Sequence, residues 1–137
     1  MGASLSCQNI HFEELGEIVN NNSSSCVIIN TLPLEDQNCL IKHTINGNIE
    51  VDTINNLLRQ DKTKKIIIYG KNYRDLTIHK KYKQLKSLGF INVILYIGGL
   101  FEWLCLQDIY GIDDFPTTKQ IIDILNYKGD ISNSLRN

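Results

Sequence analysis

The chain has 137 residues, of which 42% are apolar and 21% charged, with a formal net charge of −1. That is the size and make-up of one globular domain. Its longest apolar stretch, 90–101, is broken by Asn92 and two glycines, so it falls short of the ~18 residues of a membrane-spanning helix. The near-neutral charge argues against a strongly basic nucleic-acid binder. Residues 11–20 set Phe12, Leu15, Ile18 and Val19 at helical spacing, with acids in the first turn where the helix dipole favours them. A polar linker, 20–25, leads to Cys26-Val27-Ile28-Ile29, a β-branched run that predicts a buried strand. Residues 31–50, punctuated by Pro33, Asn38, Asn46, Gly47 and Asn48, read as irregular. Asp52 is the expected cap of a helix carrying Ile54, Leu57 and Leu58.

Lys65-Ile66-Ile67-Ile68-Tyr69 predicts the clearest strand, ending at Gly70. A polar loop then runs to Asp75, the expected cap of a helix over 76–88 that Gly89 closes. Ile78, Tyr82 and Leu85 share one face of that helix. Residues 93–96 predict another strand, Gly98-Gly99 a turn, and 100–107 a short apolar helix. At the end, Pro116-Thr117-Thr118 and Gln120 match a capping box, predicting a last helix over about 117–127. Strands alternating with helices imply an α/β fold: a central parallel sheet flanked by helices on both faces. The expected division is a flexible segment over 1–9 and one domain over 10–137.

The net charge conceals a partition. Residues 1–58 carry one base and seven acids, 59–86 ten bases and two acids, and 87–137 three bases and six acids. The lysines of the predicted third helix, Lys80, Lys81, Lys83 and Lys86, form an expected basic patch, read either as a solvated helix face or as a contact for an anionic partner. Cys7, Cys26, Cys39 and Cys105 show no paired spacing, and His11, His43 and His79 do not complete a metal-ligand pattern. No metal site and no cofactor are expected, and no nucleic-acid partner. Ala3 is the only alanine while Asn and Ile abound, the bias an AT-rich genome writes.

Four segments in order carry a family resemblance. They are Val27-Ile28-Ile29-Asn30, then His43-Thr44-Ile45-Asn46-Gly47-Asn48-Ile49, then Ile66-Ile67-Ile68-Tyr69. The fourth is Leu88-Gly89-Phe90-Ile91-Asn92-Val93 followed by Gly98-Gly99-Leu100-Phe101-Glu102-Trp103. Together they resemble a rhodanese-homology domain from about Ile10 to Leu106. The resemblance implies a single parallel α/β domain and, in active members, a cysteine directly after the Tyr-ending strand. That cysteine opens a loop closed by arginine, whose backbone N–H groups support a thiolate and persulfide. Here Gly70 stands at that position, so no catalytic nucleophile is expected, and Arg74 comes one residue early. Cys26, Cys39 and Cys105 are not obvious replacements, and His43 and His79 then have no acid–base task. The loop Gly70-Lys71-Asn72-Tyr73-Arg74 is an expected anion cradle for sulfate or phosphate, with Asp75 counting against a strong site.

A separate signal lies at the start. Met1-Gly2-Ala3-Ser4-Leu5-Ser6 matches the pattern for N-myristoylation of Gly2, with Cys7 beside it for palmitoylation. One myristoyl chain binds membranes only marginally, so a second signal is needed: Cys7 acylation or the basic block. Acylation implies a eukaryote, or a virus of one, and a cytoplasmic domain held peripherally within ~30 Å of the bilayer. The expected function is a non-catalytic rhodanese-like binding or regulatory module, lipid-tethered and acting on an unidentified protein partner. The alternatives are a sulfurtransferase using a displaced cysteine, Cys39 or Cys105, and a phosphate-binding domain at Lys71 and Arg74.

Overall fold

A computed structural model of the chain describes residues 7–21, 24–121 and 123–129. Four parallel strands form one sheet in the order β1-β4-β3-β2: β1 Gln8–Ile10, β2 Cys26–Asn30, β3 Lys65–Tyr69 and β4 Val93–Tyr96. Four helices connect and follow them: α1 Phe12–Asn20, α2 Glu50–Gln60, α3 Thr77–Ser87 and α4 Gly99–Tyr110. The two central strands read as unbroken apolar runs because both sides of each are covered. Ile67, Tyr69, Ile94 and Tyr96 face a core with Leu15 and Val19 of α1 and Leu100, Trp103 and Leu104 of α4. Ile66, Ile68, Val93 and Leu95 face a second core with Ile54 of α2 and Ile78 and Leu85 of α3. Alternation along each strand thus sorts side chains between two layers of helix.

Several sequence expectations are corrected. Gln8 and Asn9, expected in a flexible segment, pair in register with Ile94 and Leu95 at the sheet edge. A three-residue strand with two polar residues is too short for a periodic signal. Asp52 is not the cap of α2, since a 3-10 turn, Gly47–Ile49, leads straight into Glu50. Asn46 caps that turn instead, accepting from the Asn48 N–H at 2.9 Å. Leu76, not Asp75, holds the cap position of α3, while Gly89 does close it with φ +106. The apolar helix runs on to Tyr110, three residues past the expected end.

The largest correction is at the end of the chain. No α-helix covers 117–127 among the described residues; only a 3-10 turn, Ile124–Tyr127, forms there. Thr117 instead makes an antiparallel bridge with Ile41. The Lys42 N–H donates to the Pro116 carbonyl (3.1 Å) and the Thr118 N–H to the Leu40 carbonyl (2.8 Å). Buried Gln107 on α4 donates to Thr117 Oγ1 at 3.0 Å and to the Phe115 carbonyl at 2.7 Å. With both its side chain and its backbone engaged in tertiary contacts, Thr117 is not free to cap a helix.

Candidate functional site

The C-terminal ends of the strands hold the loop that follows β3, the usual place for a site in a parallel sheet. Gly70, buried, leaves β3, and its carbonyl accepts from the Leu100 N–H of α4 at 2.9 Å. The Lys71 carbonyl accepts from the Phe101 N–H, also at 2.9 Å. Two of the first N–H groups of α4 are therefore directed at the loop rather than at solvent. This close approach explains Gly99, whose φ is +72. A Cβ there would lie 2.8 Å from both the Asn72 nitrogen and the Gly70 carbonyl oxygen, contacts a side chain cannot make.

Inside the loop, a carboxylate gathers the donors. Asp75 Oδ2 accepts from the Lys71 N–H at 2.9 Å, and Oδ1 from the Thr77 N–H at 3.0 Å. Thr77 Oγ1 also donates to Oδ1 (2.5 Å) and lies 2.7 Å from Thr31 Oγ1. Buried Asn72 closes a second turn: its Oδ1 accepts from the Arg74 N–H at 2.9 Å and its backbone carbonyl from the Asp75 N–H at 3.1 Å. Its Nδ2 donates to the Tyr127 carbonyl at 3.0 Å, so the C-terminal segment crosses back onto the loop. At Gly70 an added Cβ would meet Asp75 Oδ2 at 2.5 Å, Asp75 Cγ at 2.9 Å and Thr31 Oγ1 at 3.0 Å. That carboxylate is pinned at both oxygens and is not a loose side-chain end.

Around the loop runs a cleft of about 500 Å³ lined by Thr31, Lys71, Arg74, Asp75, Thr77 and Lys128, among others. The structure thus brings Gly70, Lys71, Asn72 and Arg74 together at the C-terminal edge, while Tyr73 projects outward and is 65% exposed. Lys128 joins them from the far end of the chain. Neither it nor the Asn72–Tyr127 link has a sequence signal, because both depend on where the last segment returns.

The four lysines expected as one patch do not act as one. Lys81 pairs with Glu50 at 2.6 Å, both half-buried. Lys80 joins Lys81 along a groove beside Leu34 and Val51. Lys86 donates to the Ile91 carbonyl at 3.3 Å, at the N-terminal ends of the strands, and Lys83 is exposed. Gly2 lies outside the described residues; Cys7 is half-buried against the core between the sheet and α2–α3.

Cys39 and Cys105 both have their thiols pushed up. Cys39 is buried, with its thiol donating to the Lys119 carbonyl at 3.1 Å. Burial pushes it up from its ordinary value, against the opposing pull of Thr117 and Lys119. Burial likewise raises Cys105, and the acids Asp108 and Glu102 raise it further. A nucleophilic thiolate requires the reverse shift. His43 is exposed, in a left-handed backbone conformation (φ 72) within the turn between Ile41 and Thr44. Buried Tyr69, just before Gly70, accepts from the Ile41 N–H at 3.0 Å and sits 2.9 Å from Thr44 Oγ1. It is a support for that segment, its hydroxyl pushed well up by burial. On the other side, Tyr96 donates to Glu102 at 2.6 Å. Among the described residues no cluster of His, Cys, Asp or Glu could hold a metal ion, and no helix is long and apolar enough to cross a membrane.

A family model for the rhodanese-like domain matches residues 23–105, from before β2 into α4. The chain belongs to the rhodanese-like domain family. Solved rhodanese-like folds agree in architecture. The Alr3790 protein of Anabaena sp. is 22% identical with a TM-score of 0.59, over 84% of this chain and 83% of that one. The BH2092 protein of Bacillus halodurans is 24% identical with a TM-score of 0.61, over 80% and 77%. The Saccharomyces cerevisiae single domain sulfurtransferase RDL2 is 18% identical with a TM-score of 0.59, over 81% and 97%. No curated protein matches the chain.

Proposed function

We propose that this chain is a non-catalytic rhodanese-like binding module, tethered to a membrane by acylation of Gly2. The observation that carries the first half is the ring around Gly70. Where active members hold a nucleophilic sulfur, this chain has glycine, and the space a Cβ would need is taken by the Asp75 carboxylate. The N–H groups of Lys71 and Thr77, which could otherwise face a bound anion, donate to that carboxylate. The carboxylate acts as an internal anion, held by the same physics that would hold an external one. Beside the loop, Leu34 and Val51, 64% and 69% exposed, line one groove with Lys80 and Lys81, an apolar and cationic surface open to a protein partner. The tether rests on the Met1-Gly2-Ala3-Ser4-Leu5-Ser6 pattern.

A second reading is favoured by the cleft itself. Lys71, Arg74 and Lys128 line it with the hydroxyl-bearing Thr31 and Thr77, a chemistry that suits a phosphate or sulfate group. Titration with inorganic phosphate, following backbone amide resonances of the loop, separates the two: the module reading expects them unmoved at millimolar phosphate. The enzymatic alternative is tested by thiosulfate cyanolysis with the full chain. No thiocyanate above the protein-free rate is expected; turnover abolished by Cys39→Ser or Cys105→Ser would make the chain a sulfurtransferase with a displaced nucleophile. Intact mass of the protein from eukaryotic cells tests the tether, with a myristoyl group on Gly2 expected and an unmodified Met1 contradicting it.

A further inference from the structure

The N-terminal ends of the strands, opposite the Gly70 loop, form a compact cationic corner. Lys62 lies in the turn between α2 and β3, Lys65 opens β3, Lys86 lies in the last turn of α3 and Lys83 one turn before it; all four are exposed. The turn that carries Lys62 and Lys65 and the end of α3 meet there, at the segment that leads into β4. The Ile91 N–H donates to the Lys62 carbonyl and Lys86 Nζ to the Ile91 carbonyl, both at 3.3 Å. Asn92 Nδ2 donates to the Thr63 carbonyl at 2.7 Å. Among these lysines stands Ile91, 60% exposed. Asp61, the acid in this turn, is held by the Thr63 N–H and hydroxyl.

Two further observations give the corner an orientation. Cys7 packs on the same core as Tyr82 of α3, and β1 then runs away from this edge alongside β4. The chain therefore enters the fold at the corner, five residues after Gly2, a reach of at most about 18 Å. On the other face of the sheet, α1 carries Glu13, Glu14 and Glu17. A surface that meets the lysine corner leaves those carboxylates on the far side.

We infer that this corner docks on an anionic phospholipid bilayer, with Lys62, Lys65, Lys83 and Lys86 at the headgroups and Ile91 entering the interface. The inference rests on the tether proposed above and supplies its second signal without acylation of Cys7. It also sets a direction: the corner faces the bilayer, and the Gly70 loop, at the opposite ends of the strands, faces a partner in solution. Each well-placed lysine strengthens binding to an anionic bilayer by about fivefold.

The test is sedimentation of the full chain, myristoylated by co-expressed acyltransferase, with vesicles of phosphatidylcholine alone or with 30 mol% phosphatidylserine. Phosphatidylserine is expected to raise partitioning by 100-fold or more on the same scale, about fivefold per lysine. The Lys83→Gln/Lys86→Gln variant should lose about 25-fold of that gain, with partitioning to phosphatidylcholine unchanged. Lys42→Gln/Lys119→Gln, with the same change in net charge away from the corner, should lose little. Ile91→Asp should lower partitioning to both vesicle types. Equal binding to both vesicle types, or equal losses in the two double variants, overturns the corner as a bilayer surface, including the case in which its lysines serve an acidic protein. Absence of the myristoyl group in cells would remove the tether and leave the vesicle result standing.

Discussion

The two ends of the sheet draw on the same basic stretch and use it in opposite ways. At the C-terminal ends, Lys71 contributes its N–H to the Asp75 ring, and that ring is docked on α4 by the Gly70 and Lys71 carbonyls. At the N-terminal ends, Lys62, Lys65, Lys83 and Lys86 stand exposed around Ile91. One end answers its polar groups internally, and the other offers them to solvent. A run of lysines in sequence thus says little about a surface until the fold distributes it: Lys81, within the run, pairs with Glu50.

The docking of the Gly70 loop on α4 is most vulnerable at Gly99. With φ +72 and backbone atoms of the loop 2.8 Å from a Cβ, Gly99→Ala should cost about 3 kcal/mol, from left-handed strain and a backbone clash together. Urea denaturation measures it, and a loss under about 1 kcal/mol would mean that loop and helix separate easily. Asp75→Ala comes next. It leaves the Lys71 and Thr77 N–H groups without their acceptor, at a cost of about 2 kcal/mol. It should also convert the closed ring into a site that takes external sulfate, seen as a sulfate-dependent rise in stability absent from the wild type. Gly70→Cys should cost about 1–2 kcal/mol by crowding the carboxylate. Combined with Asp75→Ala it should cost less than the sum, by at least about 0.5 kcal/mol, since the two substitutions share one space. Lys81→Gln, breaking a half-buried pair, should cost under about 1 kcal/mol. Smallest in energy is the thiol test: native Cys39, buried and with its thiol pushed up, should resist iodoacetamide at pH 8 while denatured protein reacts fully.

Much of the layered core was legible because β-branched runs and helical spacing act locally. Lys65–Tyr69 forms β3 with the expected bounds, and Ile78 and Leu85 face the core from α3. The glycines at 98–99 and the tryptophan that follows also pointed to the right place. What sequence could not tell is how polar groups choose partners once the chain has returned on itself. Asp75 read as a cap, yet it binds back to Lys71 as well as forward to Thr77. Thr117 read as a helix start, yet Gln107 and the segment beside Ile41 claim it. Tyr127 had no functional signal at all, and its carbonyl holds Asn72. Each of these is a long-range or backward hydrogen bond, and tertiary contact overrides local propensity there.

The proposal of a non-catalytic module implies that no sulfur in this chain carries a persulfide: Gly70 offers no thiol, and a Cβ there would meet the Asp75 carboxylate. Intact mass of the full chain after incubation with thiosulfate measures this directly. An unchanged mass is expected. A gain of one sulfur on Cys7, Cys26, Cys39 or Cys105, discharged by cyanide as thiocyanate, would contradict it.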